Sequence, residues 1–205
     1  YQIRNTGDDG PQFEMLKRLE LSAEAHRELI ACCREKGIIF MSTPFDEASA
    51  DMLDNMGMNV FKIPSGEITN RPLIRHVAAK GKDIILSTGM SYLDEVEAAV
   101  MWIREVWERI VKKPALTLLH CVSAYPSAIE DSNLRAMATM KEAFGLPVGY
   151  SDHTIGCEVS IAAAAMGAGV VEKHITLDMN MQGPDHKASM EPDKFRAMVA
   201  AIRNV

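Results

Sequence analysis

Hydrophobic residues recur in two alternating patterns along the chain from about residue 22 onward. Amphipathic stretches, with apolar residues three or four positions apart, indicate helices. Between them lie short apolar runs rich in Val and Ile, which indicate strands, and each run ends in small polar or charged residues. Near-continuous apolar strands that alternate with helices are typical of a parallel sheet covered on both faces.

The pattern predicts six strands. They lie at residues 38–42, 59–64, 83–88, 116–122, 147–152 and 169–175. The predicted helices lie at residues 12–20, 22–36, 47–56, 71–80, 91–110, 133–144, 157–167 and 191–203. The second of these helices has clear end signals, with Ser22 as N-cap, Glu24 in the first turn and Gly37 after the last turn.

Two α/β architectures fit this alternation, a doubly wound open sheet and a (β/α)8 TIM barrel. No glycine-rich dinucleotide fingerprint follows any strand, and polar residues close every strand rather than the two at a switch point. This favours the barrel, whose chemistry gathers at the C-terminal ends of all its strands. Because a barrel has eight strands, we expect residues 1–205 to form a single partial barrel domain with about the last six βα units and an open seam. The segment from Tyr1 to Pro11 and the helix after it would end the second unit.

Composition narrows the class of protein further. At 205 residues, with 47% hydrophobic and 24% charged positions, the chain matches one ordinary globular domain. No run reaches the roughly 18 to 20 apolar residues of a membrane-spanning helix, and a net charge of −6 disfavours nucleic-acid binding. The four cysteines form no C-x-x-C pair, so we interpret them as reduced thiols of a cytoplasmic protein.

Polar residues at the ends of the predicted strands are the candidate functional groups. We expect them to form one ring around one cavity, because the C-terminal ends of barrel strands share one face. In chain order they are Ser42, Thr43, Lys62, Ser65, Glu67, Ser87, Thr88, His120, Ser123, Tyr125, Ser151, Asp152, His153, Lys173 and His174. His26 and His76 fall within helices and are expected on the surface.

His153 and His174 are the candidate metal ligands. They are 21 positions apart, a separation that spans one helix and one strand, so both imidazoles are expected at the tops of neighbouring strands. Two neutral imidazoles with open positions for water and substrate oxygens suit a catalytic divalent ion that acts as a Lewis acid. Mn2+ or Mg2+ fits better than a structural zinc, which has four protein ligands. The alternative is two independent histidines that are satisfied by hydrogen bonds.

A second group of residues suits an anion. One cation and several hydroxyls meet the needs of phosphate recognition, although Ser and Lys are also common at loop starts. These residues are Lys62, Ser65, Ser87 and Ser151. Glu67 is a candidate general acid or base, or else a capping residue at a helix N-terminus. The polar loop at 183–189 follows the last strand and either closes over a sugar or is a plain surface loop.

Six ordered motifs make a family resemblance specific. They are FKIPSGEITN at 61–70, LSTGM at 86–90, LHCVSAYP at 119–126, GYSDHT at 149–154, EKHITLD at 172–178 and GPDHKAS at 183–189. Together they resemble the catalytic barrel of bacterial N-acetylneuraminate (sialic acid) synthases over nearly the whole chain.

The resemblance implies a role for each candidate residue. His153 and His174 would hold Mn2+, with Mg2+ or Co2+ as alternatives, and would take part in catalysis. Glu67 would be an acid/base residue. The implied substrate-binding residues are Lys62, Ser65, Ser87, Ser123, Tyr125, Ser151 and Asp185, the last of them toward sugar hydroxyls.

The resemblance also implies a reaction. In such enzymes the metal polarises the aldehyde of open-chain N-acetylmannosamine, C3 of phosphoenolpyruvate attacks it, and water adds at C2 before phosphate leaves. The implied product is N-acetylneuraminate. One alternative is a sister synthase that makes legionaminic or pseudaminic acid from another amino sugar, and the SGEIT form at 65–69 favours the sialic or legionaminic branch. Another is a non-catalytic barrel that binds sugar or phosphate, although such a binder needs neither a metal nor an acid/base residue.

Family members extend beyond the segments that these motifs cover. They carry N-terminal barrel strands with further substrate ligands, and a C-terminal antifreeze-like domain that reaches into the partner's active site in a homodimer. Neither is found in residues 1–205, and the chain begins at Tyr1 rather than Met. We therefore expect a piece of a longer homodimeric protein without nucleic-acid or membrane partners, and we expect the piece alone to be inactive and poorly folded.

Overall fold

A computed structural model describes residues 12–111 and 113–205 of the chain. The helices in these ranges are α1 (Gln12–Leu19), α2 (Ala23–Lys36), α3 (Glu47–Asn55), α4 (Arg71–Ala79), α5 (Leu93–Trp107), α6 (Ala136–Phe144), α7 (Glu158–Ala165) and α8 (Pro192–Arg203). The strands are β1 (Val60–Ile63), β2 (Asp83–Ser87), β3 (Leu116–Cys121), β4 (Val148–Asp152) and β5 (Val171–Lys173). The prediction for Tyr1 to Pro11 lies outside the described residues.

The five strands form one parallel sheet in the order β1-β2-β3-β4-β5. Each strand pairs with the next strand along the chain, and a helix crosses between them. A sheet that keeps chain order without reversal is the arrangement of a barrel, whereas a doubly wound sheet reverses at its switch point. The described part is therefore a parallel α/β half-barrel, and the complete eight-stranded barrel stays a prediction.

Alternate strand residues build the core between the sheet and the helices. Successive side chains of a strand point to opposite faces, so every second residue of each strand faces the helices. The helix-facing set is buried and apolar, and it comprises Phe61, Ile63, Ile84, Leu86, Leu116, Leu118, Val148 and Tyr150. The other set faces the concave side of the half-barrel and includes Lys62, Ser87 and Ser151.

Helix ends follow the sequence signals closely. Ser22 caps α2 by accepting a hydrogen bond from the backbone N–H of Ala25, and Gly37 ends it in the left-handed region with a φ of 69°. Such a φ is costly for residues with a Cβ, which is why glycine stands there. The helix predicted at 91–110 is shorter than expected and begins at Leu93, where Glu95 Oε2 accepts a hydrogen bond from the N–H of Tyr92.

Two sequence predictions are wrong. Residues 38–42 form no strand: a strand needs a ladder partner, and the segment has none among the described residues, with Ile38 62% and Ile39 77% exposed. His26 is buried rather than on the surface, at 7% exposure, with hydrogen bonds to Ser22 O and Ser42 Oγ. Among the described helices, none combines the length and apolar character that crossing a membrane requires.

Candidate functional site

A cavity of about 670 Å³ opens at the carboxyl edge of the sheet. Eight of the ten residues that were predicted to bind substrate or metal, or to catalyse, line it together. These are Lys62, Ser65, Ser87, Ser123, Tyr125, Ser151, His153 and His174. Strand alternation explains the grouping, because Ser87 of β2, Cys121 of β3 and Ser151 of β4 share the concave face to which β1 also contributes Lys62. A single cavity thus joins the imidazole pair to the anion-binding candidates.

His153 and His174 lie close together. Their ring centroids are 5.5 Å apart and the ring planes are 68° from parallel. Tyr125 packs against both rings, with centroid distances of 4.1 Å to His153 and 5.6 Å to His174. The two imidazoles therefore converge on one region of the cavity, as the sequence spacing predicts.

The orientation of the His153 ring is fixed by its surroundings. Its Nδ1 lies 2.6 Å from the carbonyl oxygen of Val122, which makes Nδ1 the protonated nitrogen of the neutral ring. Nε2 is then an acceptor, and it lies 3.3 Å from Ser151 Oγ. Burial lowers the pKa of His153, and the neighbouring His174 lowers it further, so the ring is neutral at pH 7. A neutral imidazole whose other nitrogen donates to a carbonyl is the usual state of a metal ligand.

The donor set limits what kind of ion the site suits. Within residues 12–111 and 113–205 no cluster of three or more His, Cys, Asp or Glu side chains is arranged around a single point. A structural zinc with four protein ligands does not fit this set. Two imidazoles fit an open site in which oxygen ligands complete the coordination.

Glu172 contacts both Ser151 and Lys62 in the cavity, and it is not among the site residues predicted from the sequence. One of its carboxylate oxygens accepts a hydrogen bond from Ser151 Oγ at 2.6 Å, and the other lies 3.6 Å from Lys62 Nζ. The carboxylate thereby holds a hydroxyl and an ammonium group that both face the cavity. A signal existed in the sequence, because Glu172 precedes His174 by two positions and so shares its face of the strand.

Ser87 offers an open hydrogen-bonding position. It is buried at the end of β2 and lines the cavity, yet its Oγ has no hydrogen-bond partner among the described residues. Buried polar atoms are rarely left unpaired, so an orphan hydroxyl at a cavity wall indicates a ligand position.

The backbone of Gly89 packs closely against the side chains of Ser65, Cys121 and Ser123 at the base of the cavity. The N–H of Gly89 donates to Ser65 Oγ at 2.9 Å, and the same hydroxyl lies 3.3 Å from Cys121 Sγ. A Cβ on Gly89 would lie only 2.5 Å from Ser123 Oγ. Glycine at 89 is therefore what lets the ends of β1, β2 and β3 meet.

Two predicted site residues lie outside the cavity lining. Glu67 ends a short 3-10 turn and accepts a hydrogen bond from Asn70 Nδ2 at 2.7 Å. Asp185 begins the turn at 186–188, and its backbone oxygen accepts from Ser189 Oγ at 2.7 Å. Their roles as acid/base residue and sugar ligand stay predictions.

His120 does not join the expected ring, and a further histidine, His186, also lies outside the cavity lining. His120 is on the helix-facing side of β3, where its Nε2 donates to the carbonyl oxygen of Ser132 at 2.9 Å. His186 lies in the loop after β5, and its Nδ1 is 2.8 Å from Thr176 Oγ1. Parity along the strand explains the first case, since Cys121 rather than His120 takes the concave face.

Fold and cavity together define a parallel α/β half-barrel with its candidate site at the carboxyl ends of the strands. Residues 1–205 match the sequence model of the NeuB family over their whole length, and the chain belongs to that family.

Relatives of known type are similar across the chain. It is 48% identical over 205 residues to an N,N'-diacetyllegionaminic acid synthase of Campylobacter jejuni, covering 100% of this chain and 60% of the relative. Identity to the human N-acetylneuraminate-9-phosphate synthase is 36% over 193 residues, or 94% of this chain and 52% of the relative. The crystal structure of an N-acetylneuraminic acid synthetase from Leptospira borgpetersenii superposes with a TM-score of 0.89 at 34% identity, covering 99% of this chain and 69% of the other. The chain thus spans about three fifths or less of the two curated relatives.

Proposed function

We propose that this chain carries the catalytic half-barrel of a synthase that condenses phosphoenolpyruvate with an N-acetylated amino sugar, giving a sialic-type sugar acid and phosphate. One observation carries the proposal: two neighbouring imidazoles, 5.5 Å apart, share a cavity with a lysine and a set of hydroxyls, in a chain of the NeuB family. The imidazoles suit a carbonyl substrate and the lysine with its hydroxyls suits a phosphate. The reaction needs both in one place.

The anionic substrate is assigned to the wall formed by β1, β2 and β4. Lys62 supplies the positive charge, and Ser65 and Ser87 supply hydroxyl donors. Ser151 donates its hydroxyl proton to Glu172 and would become a further donor once a substrate oxygen replaces that carboxylate. Lys62 Nζ is 3.6 Å from Glu172 Oε2, which is a long distance for an ion pair. A phosphate oxygen could therefore replace the Glu172 carboxylate beside the ammonium group. The unpaired hydroxyl of Ser87 is the position that a substrate oxygen would fill.

His153 and His174 would hold Mn2+, with Mg2+ or Co2+ as alternatives, and the donor set fits such an ion. When bound, the ion would supply Lewis-acid polarisation of the sugar aldehyde. The chain's own part is to hold the His153 ring neutral and in place through burial and the Val122 carbonyl, while Tyr125 packs against both rings. Ser123 also lines the cavity and is assigned as a further substrate contact.

Bond formation joins C3 of phosphoenolpyruvate to the aldehyde carbon, and water then adds at C2 before the C2–O bond to phosphate breaks. Glu67 is assigned the proton transfers, with one carboxylate oxygen fixed by Asn70. Asp185, on the loop after β5, is assigned to hydroxyls of the open-chain sugar.

Three acceptor sugars are candidates for this site. N-acetylmannosamine, which gives N-acetylneuraminate, is the acceptor that the motifs imply. The acceptor that leads to N,N'-diacetyllegionaminic acid is the second candidate, favoured by 48% identity to the Campylobacter jejuni enzyme against 36% to the human sialic acid 9-phosphate enzyme. Pseudaminic acid is the third product in the family, since a Helicobacter pylori pseudaminic acid synthase is 38% identical. Product analysis of the intact protein with a panel of amino sugars separates them.

Replacing His174 by Ala in the intact protein tests the assignment. We expect Mn2+-dependent phosphate release from phosphoenolpyruvate and the sugar to be lost, together with Mn2+ binding measured by electron paramagnetic resonance. His76→Ala is the matched control, because His76 pairs with Asp51 on the helical surface and should leave both readouts unchanged. Unchanged phosphate release in His174→Ala contradicts the metal assignment. Sugar binding without phosphate release by the wild type favours the non-catalytic barrel instead.

A homodimer and a cytoplasmic location belong to the same proposal.

A further inference from the structure

A buried ion pair lies directly behind the two cavity histidines, between the sheet and α7. Lys173 Nζ is 3.0 Å from Asp152 Oδ2, and the side chains are 1% and 0% exposed. The two residues are register partners on β4 and β5. Each precedes one cavity histidine by a single position, so the pair joins the two strands just where His153 and His174 leave them.

Every oxygen lone-pair position of the Asp152 carboxylate is in use. Oδ1 accepts from the N–H of Thr154 at 2.8 Å and from its hydroxyl at 2.7 Å, while Oδ2 accepts from Ser160 Oγ at 2.5 Å and from Lys173. Lys173 Nζ also donates to the carbonyl oxygen of Thr154 at 2.5 Å. His153 is therefore bracketed by two residues, Asp152 and Thr154, that are both bonded to the lysine of β5.

Stability alone does not explain this arrangement. Removing two charges from water is expensive, and an apolar pair of the same volume often holds neighbouring strands as well or better. What an ion pair adds is a defined geometry, since only one register satisfies all of its hydrogen bonds. The geometry matters here because the rings of His153 and His174, 5.5 Å apart, come from the two strands that the pair joins.

We propose that the Asp152–Lys173 ion pair is a positioning device that sets the separation of the His153 and His174 imidazoles. Neither residue needs to touch substrate, because each acts through the histidine that follows it. The inference rests on the proposed function for the role of the imidazole pair, and it adds two residues to which no role has been assigned. Both side chains lie on the helix-facing side of the sheet, away from the concave side that holds the cavity.

Lys173→Met in the intact protein is the direct test, since Met keeps the length of the side chain and removes its charge. We expect the Kd for Mn2+, from electron paramagnetic resonance, to rise by about tenfold or more, as for other changes behind metal-binding histidines. The kcat should fall by a similar factor while KM for phosphoenolpyruvate changes little, because the wall around Lys62 is untouched. Ile103→Ala is the matched control for lost stability, since Ile103 is fully buried in α5 away from the site. At a comparable loss in melting temperature, it should keep the wild-type Kd.

A second variant keeps the test decisive if Lys173→Met does not fold. The double variant Asp152→Asn, Lys173→Met removes both charges and leaves no buried ion unpaired. We expect it to fold, with a melting temperature nearer the wild type, and still to bind Mn2+ weakly. A folded variant of either kind with wild-type Mn2+ affinity overturns the positioning role.

Failure of the proposed function gives a different result. A wild type that neither binds Mn2+ nor releases phosphate refutes the function, and crystal structures then decide the positioning role separately. Ring centroids that stay 5.5 Å apart in folded Lys173→Met overturn it, whereas a changed separation supports it.

Discussion

Replacing Gly89 by Ala tests how tightly the ends of three strands pack around the cavity. The new Cβ would lie 2.5 Å from Ser123 Oγ, 2.8 Å from Cys121 Sγ and 3.0 Å from Ser65 Oγ. These distances are too short for nonbonded contacts, so side chains must move apart. Overpacking of this kind costs about 1–3 kcal/mol. The hydrogen bond from the Gly89 N–H to Ser65 Oγ, worth about 0.5–1.5 kcal/mol net, is strained at the same time.

Urea unfolding of the intact protein measures this cost, and steady-state kinetics measures its effect on the site. We expect the free energy of unfolding to fall by about 2–4 kcal/mol. KM for phosphoenolpyruvate should rise, because Ser65 and Ser123 are the proposed substrate contacts that move. Gly169→Ala is the control, since its Cβ would meet only Val148 O at 3.9 Å and should cost about 0.5 kcal/mol or less.

A double variant shows whether the clash is the cause. Ser123→Ala removes the hydroxyl that lies nearest to the new Cβ, so the cost of Gly89→Ala should be smaller in that background, by about 0.5 kcal/mol or more. A Gly89→Ala protein as stable as the wild type, or a cost that is the same in both backgrounds, refutes the reasoning.

Two further predictions concern groups outside the cavity. Trp107→Phe removes the buried hydrogen bond from Nε1 to the Ala78 carbonyl, so the free energy of unfolding should fall by about 1–3 kcal/mol, and an unchanged urea midpoint would contradict this. Burial lowers the pKa of His120, so the unfolded chain takes up its proton at a higher pH than the folded chain, and stability should fall as the pH drops through about 6.5. His120→Gln keeps a donor toward Ser132 O and should reduce the loss of stability between pH 7.5 and 5.5; an equal loss in both proteins would argue against a buried neutral His120.

The sequence pattern is sufficient for the repeating unit of the fold but not for its edges. Periodicity and caps identify α2 and the five strands of the sheet, because these signals are local. The wrong strand at 38–42 has the same apolar composition, yet a strand exists only where a neighbour supplies its ladder. His26 shows the related limit for helices, since its burial depends on the Ser42 segment that packs across α2.

For the site, the ends of the strands could be located from the sequence but the parity of each strand could not. Predicted boundaries shift by one or two residues, and a shift of one residue exchanges the two faces. The prediction therefore placed His120 in the cavity, where the structure has Cys121. It also named Lys173 and not Glu172, whose side chain lines the cavity wall. Once β5 is fixed at Val171–Lys173, alternation alone assigns Glu172 to the cavity wall.

The same alternation bears on how an acidic protein could form the proposed anion site. The net charge is −6, but the field that a phosphate meets depends on the few groups that face the cavity and on how poorly water screens them. On the concave side, Glu172 is already bonded to Ser151 and paired with Lys62, so its negative charge is largely balanced by these neighbours. On the convex side, Asp152 and Lys173 cancel each other. In the proposed site, an arriving phosphate would therefore replace Glu172 beside Lys62, while the Asp152–Lys173 pair keeps the two cavity histidines in position.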